Sequence, residues 1–142
     1  MKTKPFALFL ALFLTFNMNL STVNASGMKP YTTNIGYLGA GIVVSGTCLA
    51  ASVTGSFVGP GLHAIYYCEF QYESASGEYI PIGDQRTFRS YTEGMLQTYE
   101  TYYCNPTAGV RYRFHVLMKV VDDNGTLLDS DFINSSSLVF NG

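Results

Sequence analysis

Tryptophan is absent from this chain, and so are the short motifs that most often announce chemistry: there is no Gly-rich phosphate loop, no paired-histidine metal motif and no Gly-x-Ser-x-Gly. No two of the three cysteines, Cys48, Cys68 and Cys104, have the Cys-x-x-Cys spacing of a zinc or redox site. Positive charge is scarce as well. With Lys2 and Lys4 removed as part of the leader described below, six basic residues face ten acidic ones, a formal charge of −4. That balance excludes attraction to nucleic acid or anionic lipid as the basis of function. The sequence calls for no cofactor.

What is present begins with an address. Lys2 and Lys4 precede the apolar run FALFLALFLTF, Phe6 to Phe16, and a polar stretch leads on to Val23, Asn24 and Ala25. This run of 11 residues is too short to cross a bilayer as a stable helix, which takes roughly 20. Small Ala25, with Val23 two positions earlier, suits signal peptidase. These features predict a secretory signal peptide over 1–25 cleaved after Ala25, an extended leader over 26–34 and one domain over 35–142. The expected protein is secreted and extracellular, without a stable transmembrane anchor.

The chain after Ala25 holds all 11 tyrosines, and it is rich in glycine and poor in charge, the composition of strands and turns. From Pro30 to Cys68 no Asp, Glu, Lys or Arg occurs. Within that stretch Ala51, Gly55 and Gly59 recur at four-residue spacing, which in a membrane helix would let two backbones approach closely. Against a helix stand the glycines at 36, 39, 41, 46, 55, 59 and 61, each costing a helix interior about 1 kcal/mol. Leu49, Ala51, Val53 and Phe57 share one parity, so the segment reads as two strands.

Alternation sharpens further along. Tyr66, Cys68, Phe70 and Tyr72 fall on one face of a strand, with Ile65, Tyr67, Glu69 and Gln71 on the other. Glu78 to Gly83 reads as a short strand that Pro81 confines to a sheet edge, the polar DQRTFRSYTEG after it as irregular, and Met95 to Cys104 as another strand. Val110, Tyr112, Phe114, Val116, Met118 and Val120 alternate strictly, which sends Arg111, Arg113, His115 and Lys119 to the opposite face. The turn residues of Asp122 to Gly125 then return the chain as a further strand, and Ser135 to Phe140 reads as a last edge strand. Six or seven short strands with no amphipathic helix predict an all-β, antiparallel β-sandwich.

A strand ending at Cys104, a proline at Pro106 and a strand opening on Tyr-Arg-Phe-His-Val, Tyr112 to Val116, resemble a fibronectin type III or related immunoglobulin-like domain over roughly residues 48–133. The resemblance implies that Tyr112 bonds back to the preceding corner as a tyrosine corner. It also implies that a strand starting near Cys48 pairs antiparallel with the one ending at Cys104, giving a Cys48–Cys104 disulfide and leaving Cys68 as a free core thiol. Cys68 with Cys104 across the sandwich is the other pairing. A missing core tryptophan and a cysteine in place of the usual leucine depart from the pattern.

For function, a Cys104–His115 catalytic pair is opposed by the strand pattern, which sends His115 outward. Glu69 and Glu73 facing Arg111, Arg113 and His115 reads first as cross-strand charge pairing, with an anion-binding ladder as the functional alternative. Asp122, Asp123, Asp129 and Asp131 flank one hairpin without the spacing of a calcium loop. The expectation is a secreted, non-catalytic binding module for an extracellular protein or surface glycan. Its candidate ligand-binding residues are Tyr67, Tyr79, Tyr91, Arg111 and Arg113. The alternative is a membrane-active peptide that inserts segment 36–61.

Overall fold

The computed structural model describes residues 33–142, all of its elements being strands. The signal peptide over 1–25 and most of the leader lie outside the described residues. The strands are β1 (Ile35–Ser45), β2 (Cys48–Phe57), β3 (Leu62–Glu73), β4 (Tyr79–Ser90), β5 (Gln97–Tyr103), β6 (Arg111–Asp122), β7 (Leu127–Asn134) and β8 (Leu138–Val139). They form two antiparallel sheets, ordered β1-β2-β5 and β4-β3-β6-β7, with β8 also pairing β6. Among the described residues no helix is long and apolar enough to cross a membrane.

The core lies between the sheets and is built by the alternation seen in the sequence. Tyr66 and Cys68 from β3, with Phe114, Val116, Met118 and Val120 from β6, are all fully buried against Leu49, Val53 and Phe57 of β2. The segment at 36–61 supplies β1 and β2, and its small residues have a packing reason. A Cβ added at Gly55 would stand 2.5 Å from the hydroxyl oxygen of Tyr66, so glycine makes room for a large ring from the facing sheet.

Cys48 and Cys104 form a disulfide. The register explains it: Leu49 lies opposite Tyr103, which brings the start of β2 to the end of β5. Cys68 is free and buried, and burial pushes its thiol up to about 12. The Tyr112 hydroxyl accepts the backbone N–H of Thr107 at 2.8 Å, tying β6 to the corner that precedes it.

One stretch differs from expectation. Asp84 to Ser90 continues β4 as a strand instead of running irregularly. Pairing with β3 breaks between Ile82 and Arg86, where Gly83 has φ 73°, and then resumes to Ser90. The strand is an edge and most of its side chains face solvent, so it carries no apolar alternation to read.

Candidate functional site

Because β3 and β6 bury one parity, their other parity forms with the flanking β4 and β7 a continuous outward face on the larger sheet, and cross-strand register arranges it in rows. The rows nearest the disulfide end are polar. Glu69 lies opposite His115 and Asn134, Gln71 opposite Arg113, and Glu73 opposite Tyr79. These groups engage one another. Arg113 Nε donates to Gln71 Oε1 at 2.7 Å and Gln71 Nε2 donates to Glu69 Oε1 at 2.7 Å, while the Arg113 guanidinium lies 3.9 Å from the Tyr79 ring centre. Arg111 pairs with Glu73 at 3.3 Å and also bonds Ser137, and His115 Nδ1 is 2.7 Å from Asn134 Oδ1.

The rows toward the other end set apolar and aromatic groups beside basic ones. Tyr67 lies opposite Leu117, which lies opposite Phe132. In the next row Arg89, Ile65, Lys119 and Ser130 are aligned, and beyond it His63, Val121 and Leu127. Lys119 Nζ sits 5.3 Å from the Tyr67 ring centre, Phe132 leans on His115, and Tyr91 stacks on His63 at 5.0 Å. Phe132 is 48% exposed and Tyr91 69%. Large apolar groups on a solvent-facing sheet surface, in register across three strands, are the composition of an interface centre.

Of the residues expected from sequence, Tyr79, Arg111 and Arg113 come together in the polar half, Tyr67 lies in the apolar half, and Tyr91 borders it on the β4–β5 loop. Leu117 and Phe132 are the residues that sequence reasoning missed. Leu117 has the same parity as Arg113, His115 and Lys119, so counting the whole outward set would have found it.

The outward face of the smaller sheet is different in kind. Ala50, Ser52, Thr54 and Ser56 of β2 lie beside Gly39 and Gly41 of β1, a flat surface of small groups on which Tyr102 of β5 stands 52% exposed.

Two further groups singled out in the sequence, Cys104 and Asp122, are engaged. Cys104 is bonded to Cys48. The Asp122 carboxylate accepts the backbone N–H groups of Asn124 and Thr126, both at 2.9 Å, which shapes the β6–β7 turn. Among the described residues no three His, Cys, Asp or Glu side chains stand together as metal ligands. No protein-family model matches the sequence, and no curated protein matches it.

Proposed function

We propose that this is a small secreted, non-catalytic binding module of the fibronectin type III-like kind, which recognises an extracellular protein or surface glycan through the outward face of its larger sheet. The observation that carries this reading is the row Tyr67, Leu117 and Phe132, three large side chains brought to the surface in register by β3, β6 and β7. A disulfide between Cys48 and Cys104 fits an oxidising compartment. An immunoglobulin constant-type sandwich groups its fourth strand with the first, second and fifth. Here the fourth strand pairs with the third, which favours the fibronectin-like arrangement, and the Tyr112 bond to Thr107 matches the tyrosine corner that both kinds of sandwich share. The disulfide at Cys104 and the His115–Asn134 contact support a role without catalysis.

Insertion of segment 36–61 into a bilayer would demand far more of the molecule. Its apolar side chains belong to the core, so insertion requires opening the sandwich while β2 stays bonded to the end of β5.

The test presents tagged mature protein, beside a Leu117→Asp variant of equal stability, to the proteins and glycans of its native surroundings. The proposal expects a ligand retained by the wild type and lost by the variant. Equal retention by both refutes the assigned face.

A further inference from the structure

We infer that the apolar half of this face docks a protein segment carrying carboxylates among apolar anchors. This inference rests on the binding-module reading and names the partner's chemistry. The three rows present Tyr67, Leu117, Phe132 and Leu127 to solvent with Ile65 and Val121 buried beneath and between them, and none of their residues is acidic. Two cations flank Ile65 in the central row, Arg89 on one side and Lys119 on the other. Ion pairs join Arg86 to Asp84 and Arg111 to Glu73, and among the described residues neither Arg89 nor Lys119 shows a carboxylate partner. A partner whose carboxylates reach Arg89 and Lys119 while its apolar side chains cover Leu117 and Phe132 satisfies both features at once.

The other occupants fit less well. A second copy docked face to face about a two-fold axis would bring the Arg89 and Lys119 cluster against itself, and like charges at an interface core oppose association. A glycan is read by hydrogen bonds to its hydroxyls. Ile65, Leu117, Val121 and Leu127 offer none from their side chains, Gln71, Arg113 and Asn134 are already bonded to neighbours, and the strongest donors within the rows, Arg89 and Lys119, are cations that favour a carboxylate over a neutral hydroxyl. The patch is also small. Strand spacing of about 4.8 Å and a residue rise of about 3.3 Å make it roughly 14 Å on a side, a width suited to one extended or helical segment.

The experiment selects a phage-displayed random peptide library on the mature protein. In parallel, sialylated and sulfated oligosaccharides are titrated, and sedimentation records self-association. The expected peptides combine Asp or Glu with Leu, Phe or Tyr. Their affinity should fall about tenfold with Lys119→Glu, recover in part when a peptide acid is changed to Lys, disappear with Leu117→Asp, and stay within about twofold with Tyr102→Ala on the other sheet. Melting curves check each variant, and Leu117→Ser replaces Leu117→Asp if the latter unfolds.

Selected peptides that are basic or uncharged, or that ignore Lys119→Glu, overturn the acidic-partner inference while leaving the binding face intact. So does oligosaccharide binding, or a dimer, that Leu117→Asp abolishes. Binding indifferent to Leu117, or no binding of any probe, overturns the inference and the binding-face reading together.

Discussion

Tyr66 reaches from β3 across the core to Gly55 of β2, and its buried hydroxyl finds no hydrogen-bond partner among the described residues. Two opposite consequences follow from that contact. Gly55→Ala should destabilise by about 1–3 kcal/mol, because the ring is enclosed and cannot swing away. Tyr66→Phe should stabilise by up to about 1 kcal/mol, since it removes a desolvated polar group that gains nothing from burial. Urea denaturation of both variants and of the double variant checks this, and the double should recover part of the Gly55→Ala loss.

Removing the Cys48–Cys104 link should cost about 2–4 kcal/mol. The two cysteines are 56 positions apart, so the bond restricts a long loop of the unfolded chain. Denaturation of the oxidised protein and of the Cys48→Ser, Cys104→Ser pair measures the difference. Thiol titration should find no reactive thiol in the native oxidised protein and one after unfolding, namely Cys68, which is fully buried.

Burial pushes the Cys68 thiol from 9.0 up to about 12 and raises the Tyr66 hydroxyl too, with Tyr99 and Cys68 adding to the latter. Between those values the unfolded chain releases thiol protons that the folded one keeps. The stability these groups contribute is therefore complete below about pH 9 and falls as pH rises toward 12. Urea midpoints measured from pH 8 to 11 should decline, and the decline should be shallower for Cys68→Ala than for wild type; the slopes are compared because the alanine also leaves a cavity.

The two arginines of the polar half should differ. Arg111 is exposed and its pairing with Glu73 is open to water, so Arg111→Ala should change stability by less than about 0.5 kcal/mol. Arg113 bonds Gln71, itself buried, and covers the Tyr79 ring. Arg113→Ala should cost about 1–2 kcal/mol by leaving the Gln71 oxygen short of a donor and losing the stacking contact. Thermal or chemical denaturation of the two variants makes the comparison.

Much of the architecture was legible because each central strand is wet on one side and dry on the other. Tyr112 to Val120 and Tyr66 to Phe70 announce their buried parity in the sequence, and the core follows from them. Asp84 to Ser90 was illegible for the converse reason: an edge strand exposes most of both sides, so pairing with β3 leaves no apolar period. The pairing of Cys48 with Cys104 came from a resemblance, and the β2–β5 register supplies its physical cause. The candidate site was only half legible. Tyr67 could be seen as outward, whereas its alignment with Leu117 and Phe132 depends on which strands are neighbours and in what register, information that no single strand carries.

The molecule is proposed to meet its partner through the outward face of the larger sheet. Photo-crosslinking from a benzoylphenylalanine placed at Phe132, with the same group at Tyr102 as control, tests it most directly. The two positions are similarly exposed, 48% and 52%, and stand on opposite sheets. In the extracellular surroundings proposed for the protein, irradiation should yield a discrete covalent adduct from position 132 and none from position 102. Adducts from position 102 alone, or the same adducts from both, would contradict the account.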